Sequence, residues 1–176
     1  MEKVRDGDLD KLGLLFERYK KPLFGFFYGM NRDKILSEDL VQNVFYRILK
    51  YRTLFRGDGD FKTWMFHIAR NVSHDNFRKN KKSLHNESID GWQHKIPLDE
   101  NRFIEIQEEE KLYQLSIALN KLPEDKREVL LLSRFQEKKY KEIGDILGCS
   151  EAAVKVKVFR AIQELKDIFN KLEQRL

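Results

Sequence analysis

The sequence predicts an all-α protein made of two small helical domains joined by a linker. Three observations predict it. Apolar residues recur at helical spacing along several stretches. Only three prolines punctuate 176 residues, so helix-breaking positions are scarce. Charge is also laid out in blocks. Residues 1–82 carry 18 Lys/Arg against 11 Asp/Glu, residues 83–120 carry 3 against 8, and residues 121–176 carry 13 against 10. Two basic lobes joined by an acidic strap suit a protein that touches a polyanion at two places. The expected division is a domain over 1–82, a linker over 83–101 and a second domain over 102–176.

The first helical stretch, Leu9–Phe27, carries Leu12, Leu15, Phe16, Tyr19, Leu23, Phe26 and Phe27. Pro22 marks a kink or a break within it. A connection over Asn31–Leu36 follows. Ser37 is the expected cap of the next helix, with Glu38 and Asp39 in its first turn. Leu40, Val44, Phe45, Ile48 and Leu49 form its buried stripe. A loop with two glycines, Leu54–Asp60, leads to a third helix from Phe61 to about Lys79, which Asp60 is placed to cap.

That third helix has two unlike faces. Phe61, Trp64, Met65, Ile68, Ala69 and Val72 form the core stripe. Lys62, Phe66, His67, Arg70, Asn71, His74 and Arg78 lie on the other side, and the helix runs out into the basic run Arg78–Lys82. Cations meet phosphates, an amide bonds a base edge, and an exposed aromatic stacks on an unpaired base. Satellite packing is the competing reading for Phe66. His67 and His74 stand two turns apart, about 10 Å along the axis, too far for one metal ion.

Residues 83–101 show no sustained period and include Gly91, Trp92 and Pro97. Helical spacing returns over Arg102–Lys121 through Phe103, Ile106, Tyr113, Ile117 and Leu119. The run Leu122–Asp125 opens another helix with proline and acids, as helix N-termini prefer. Its Val129, Leu130, Leu132 and Phe135 are expected beneath the next unit.

That unit, Lys139–Leu165, reads as a short helix, a tight turn and a longer basic helix. Tyr140, Ile143, Ile146 and Leu147 share one side of the first. Gly148 supplies a positive φ at its end, and Ser150 caps the second. Val154, Val158, Ile162 and Leu165 form the buried stripe of the second helix, while Lys155, Lys157 and Arg160 fall outside it. This is the layout of a helix-turn-helix, whose second helix lies in the DNA major groove. Small Ala152 and Ala153 near its start leave room for close approach.

Several classes are excluded or disfavoured. No apolar run reaches the roughly 18 residues of a membrane span, so no stable membrane insertion is expected. The charged start MEKVRDGDLD does not read as a signal peptide, and a cytoplasmic protein is expected. A single cysteine, Cys149, excludes an internal disulfide. Zinc-ligand spacing, a phosphate-binding glycine loop and a nucleophile elbow are all missing. No catalytic residue, metal or cofactor is therefore expected, and the chain is not expected to be an enzyme.

Four blocks in this order, EDLVQNVFYRILKY (38–51), FRGDGDFKTWMFHIARN (55–71), LPEDKREVLLLSRF (122–135) and YKEIGDILGCSEAAVKVKVFRA (140–161), give the chain a resemblance to the bacterial extracytoplasmic-function sigma factors of the sigma-70 family. The resemblance covers nearly the whole length. It implies that the first domain is a region 2 bundle, which binds the clamp coiled coil of core RNA polymerase and opens the −10 element. It implies that the second is region 4, which reads the −35 element and touches the polymerase flap. By the same resemblance, Asp39, Gln42, Asn43 and Tyr46 face the polymerase. Phe55, Arg56, Gly57 and Asp58 belong to the loop that captures a flipped −10 base. Asn71 faces the opened −10 strand, and Lys62, Phe66, Arg70, His74 and Arg78, which share its helix face, are expected to follow that strand on the evidence of that face rather than of the resemblance. Ser150, Ala152, Lys155, Val156, Lys157, Phe159 and Arg160 meet the −35 duplex. A separate anti-sigma factor is implied as a further partner.

The expected function is promoter-specific transcription initiation as a polymerase subunit, and the alternative is a conventional dimeric helix-turn-helix repressor or activator. Many relatives carry a polar residue where this chain has Val156. Valine touches a thymine methyl but makes no hydrogen bond, so groove shape gains weight in upstream recognition.

Overall fold

The computed structural model describes residues 1–57, 59–83, 113–136 and 138–174. Its elements in chain order are α1 (Glu2–Arg5), α2 (Asp10–Asn31), α3 (Lys34–Lys50), a single 3₁₀ turn (Arg52–Leu54), α4 (Phe61–Ser83), α5 (residues 113–121), α6 (Glu124–Leu130), α7 (Tyr140–Leu147) and α8 (Glu151–Glu173). No strand occurs among the described residues. Asp58, Trp92, the linker, and Phe103 and Ile106 of the expected 102–121 helix lie outside them.

Local sequence explains most boundaries, with three corrections. Pro22 neither ends nor divides α2, which continues to Asn31; α2 goes without the one backbone donor that proline lacks. The chain then turns on Arg32, a non-glycine residue at φ 59°, whose guanidinium lies 5.5 Å from the Tyr28 ring. Asp33, not Ser37, caps α3, accepting from the Leu36 N–H at 2.9 Å. Ser37 is fully buried inside the first turn and bonds the Asp33 carbonyl. The chain from α6 widens into a π turn over Leu131–Phe135, closed by the Gln136 N–H on the Leu131 carbonyl five residues back. Nothing in the apolar period signals that turn. Asp60 and Ser150 cap α4 and α8 as expected, accepting from Thr63 at 3.0 Å and Ala153 at 3.2 Å.

The first lobe packs α2, α3 and α4 around Leu23, Phe26, Phe27, Val44, Ile48, Met65 and Val72. The second packs α6, α7 and α8 around Val129, Leu132, Ile143, Ile146, Val154 and Val158. Each large apolar side chain buried this way stabilises the fold by about 1.5–3 kcal/mol.

The lobes do not stand apart. Their cores merge into one apolar cluster. Gly29 of α2 meets Leu131 so closely that a β-carbon at position 29 would lie 2.5 Å from a leucine methyl. The Gln136 amide donates to the Pro22 carbonyl at 3.1 Å. The Arg127 guanidinium donates to the Met30 carbonyl at the end of α2.

Candidate nucleic-acid interface

The helix-turn-helix is built as the sequence leads one to expect. Gly148 ends α7 at φ 69°. Gly144 lies so close to the turn that an added β-carbon would sit 2.6 Å from the Cys149 carbonyl oxygen. Val154, Val158 and Ala161 of α8 are buried, which leaves the opposite face to solvent. At about 100° per residue, Ala152, Val156 and Phe159 fall at the centre of that face, with Lys155 and Arg160 on its flanks. Val156 is 47% exposed and Phe159 64%. Lys157 and Ser150 are exposed too. The Lys155 ammonium lies 3.1 Å from Glu151, an exposed pair worth little in water and readily exchanged for a phosphate.

The α4 face is divided. His67, Asn71 and Arg78 are exposed, and the Asn71 amide lies 3.4 Å from the His67 ring. Arg70 and His74 turn instead toward the second lobe. The Arg70 guanidinium bonds Glu128 at 3.3 Å, and His74 Nε2 lies 3.6 Å from Glu128 and 3.8 Å from Glu124. Burial pushes the Glu128 and Glu124 carboxyls above their ordinary range, against the pull of Arg70 and His74 respectively. Burial and the Arg70 charge hold the His74 imidazole below its ordinary value. Lys62 reaches the Gln136 carbonyl at 3.4 Å.

Two expected contacts are overturned by burial. Phe66 is fully buried, edge-on to Phe26 with ring centres 5.7 Å apart. It is core, not a stacking platform, because α4 packs on α2 along a wider stripe than its period indicates. Phe55 is buried as well, caged by Phe61 at 5.9 Å and Trp64 at 5.3 Å. It roots the loop rather than lining its outer surface. Arg56 and Gly57 are exposed, and Gly57 takes φ 84°, a conformation that favours glycine.

A second ion cluster lies at the loop's far end. Lys138 is buried, and its ammonium bonds Asp60 at 3.1 Å, Thr63 at 3.1 Å and Glu142 at 2.9 Å. Burial disfavours the two carboxylates, but the Lys138 ammonium and nearby N–H donors outweigh it and hold both below their ordinary range.

On α3, Asp39, Gln42, Asn43 and Tyr46 are all exposed. Gln42 also lines a groove of about 360 Å³ between α2 and α3, with Phe16, Lys20, Lys21, Phe24 and Val41. Asn43 accepts from Arg47 at 3.0 Å, and Arg47 pairs with Asp75 of α4 at 2.8 Å, which fixes α3 against α4. Among the described residues no cluster of histidine, cysteine and acidic side chains is arranged to hold a metal ion, and no helix is long and apolar enough to cross a membrane. Sequence reasoning missed Glu128 and Lys138, and also the contact of Arg5 with the Phe55 and Arg56 carbonyls. All three act across long separations in the chain, which helical periodicity does not register.

Comparison with known proteins places both lobes. Residues 15–83 match the family described as sigma-70 region 2, and residues 113–165 match sigma-70, region 4. The chain is 32% identical to the ECF RNA polymerase sigma factor SigM of Bacillus subtilis (strain 168), over 89% of this chain and 94% of that protein. Two solved structures share the fold. CnrH, in complex with the cytosolic domain of CnrY, has a TM-score of 0.73 and 20% identity over 97% of this chain and 94% of its own. RpoE of Bartonella quintana, in complex with the anti-sigma factor NepR, has a TM-score of 0.68 and 23% identity over 90% and 96%. These matches favour a polymerase subunit over a free-standing dimeric repressor. The chain belongs to the sigma-70 family and is an extracytoplasmic-function RNA polymerase sigma factor.

Proposed function

We propose that this sigma factor reads an upstream promoter element with α8 and opens the downstream element with the Arg56–Gly57 loop and α4. Ala152, Val156 and Phe159 enter the major groove, while Lys155, Lys157 and Arg160 meet the flanking phosphates. Asn71 reads the exposed strand, and Lys62, Arg70, His74 and Arg78 hold its backbone. Extruding a base costs a few kcal/mol, which a shaped loop returns. Asp39, Gln42, Asn43 and Tyr46 bind the clamp coiled coil of the polymerase, and the second lobe rests on the flap. The protein works in the cytoplasm, where the promoter is. We also assign it an anti-sigma partner, the kind of protein that RpoE holds in its complex.

The observation that carries this reading is the union on one chain of two cationic helix faces, one open on α8 and one partly covered on α4. Because Arg70 and His74 face Glu128 and Glu124 in the closed arrangement, the lobes separate before α4 meets DNA. The test is run-off transcription with core polymerase from the same host. A transcript from a cognate promoter that depends on this chain supports the reading, and no transcript from any genomic promoter refutes it. Asn71→Ala is expected to spare polymerase binding and impair strand opening, followed by permanganate reactivity.

A further inference from the structure

We infer that Arg5, on the short N-terminal helix, is a positioning residue for the base-capture loop. This rests on the proposed role of that loop and deepens it. The loop is short, holds two glycines and has to project from the first lobe in one conformation to receive a base. Its far end is held by the Asp60 cap and the Lys138 cluster. Its near end is held by Phe55, whose ring is caged, and by α1.

Val4 is fully buried and anchors α1 to the lobe. One turn edge of α1 then faces the loop. Arg5 Nη1 lies 3.4 Å from the Phe55 carbonyl oxygen and 3.3 Å from that of Arg56, so one guanidinium nitrogen serves two consecutive peptides. The same guanidinium is steadied from behind by Asp6, which accepts from Nε at 2.7 Å and from Nη2 at 3.4 Å. A β-carbon on Gly57 would come 3.0 Å from Glu2 Oε1 and 3.6 Å from Arg5 Nη1. The loop therefore rests directly on α1, and φ 84° at position 57 favours glycine. Carbonyls bonded by a cation are held more firmly than by a neutral donor. Fixing them in advance removes ordering entropy from the capture step. Arg5 touches no base in this scheme. It acts through the Phe55 and Arg56 carbonyls.

The test uses full-length chain with core polymerase and two fork-junction DNA probes. One carries every −10 non-template base, and the other is abasic at one position in turn. Wild type is expected to prefer the intact strand at one position. In Arg5→Ala that preference falls by about tenfold, while affinity for core polymerase and for the upstream duplex is unchanged. Arg5→Lys restores part of it, since an ammonium reaches the same carbonyls without the fork. Gly57→Ala attacks the contact from the loop side and is expected to lose the same preference. Full preference in Arg5→Ala overturns the assignment of Arg5, whatever Gly57→Ala does. A wild type indifferent to every abasic position overturns the loop's own role, and the inference with it. A variant that loses polymerase binding in step with base preference shows a structural role only and also overturns it.

Discussion

The Arg70 guanidinium, on the helix face that carries Asn71 one residue on, lies 3.3 Å from the carboxylate of Glu128, 58 positions later in the chain. Glu128 is 2% exposed. His74 Nε2 approaches the same carboxylate, at 3.6 Å. The second lobe thus places an anion against the cations of the first.

Glu128→Gln keeps the shape and removes the charge. The expected result is that free protein binds a single-stranded −10 oligonucleotide about fivefold more tightly, a shift of about 1 kcal/mol, because the anion that engages Arg70 is gone. Fluorescence anisotropy measures it. Unchanged affinity would mean that the carboxylate does not compete with DNA.

Lys138 supports a prediction in pH. Asp60 and Glu142 have lowered values in the closed fold, so their contribution to stability is complete above the ordinary carboxylate range. It is lost as pH falls through about 4 and below. Glu124 and Glu128 are raised and work in the opposite direction. Comparison with Lys138→Met isolates the first pair, because the variant lacks the ammonium that lowers them. Thermal melts from pH 7 to pH 3 are expected to show a steeper acid loss in wild type than in the variant. Parallel curves would contradict the cluster's role.

Gly29→Val tests the contact between lobes. Its side chain collides with Leu131, and overpacking of this kind costs about 1–3 kcal/mol. Dyes placed on α3 and α8 are expected to move apart in the variant, read as lower energy transfer. Total helix content by circular dichroism stays unchanged.

The α8 face supports a prediction about bases. Replacing thymine by deoxyuridine in the upstream duplex removes only the C5 methyl. Loss of one methyl contact of about 0.8 kcal/mol weakens binding about fourfold at the position under Val156 or Phe159. Val156→Ala is expected to abolish the difference at its own position. Equal binding of both duplexes at every position would leave groove shape as the reader.

Lys155→Ala and Arg160→Ala are each expected to lower the salt slope of duplex binding by about one. Titration at several salt concentrations gives the slope, and an unaltered slope would remove that residue from the phosphate contacts.

Much of this was legible in the chain. The stripes Val154–Val158 and Met65–Ala69–Val72 lie buried where their period puts them, and Gly148, Ser150 and Asp60 perform the local turn and cap chemistry that their residue types suit. These are interactions within a few positions, and one-dimensional spacing records them. The α8 face was legible for the same reason: whatever is off the buried stripe of a well-formed helix is exposed unless another element covers it.

Such covering decided the rest. Phe66 looked available because a period reveals one contact face and α4 has more than one, and Phe55 because the resemblance places it in the loop without saying which way its ring faces. Glu128 and Lys138 read as ordinary charges until folding set them beside Arg70 and Asp60, far away in sequence. The sequence by itself determined most of the helices, the caps Asp60 and Ser150, the helix-turn-helix and the family. Only the tertiary structure decided that the two lobes share a core and mask part of the α4 face, because that depends on which surfaces meet, and meeting is a long-range property that local spacing does not encode.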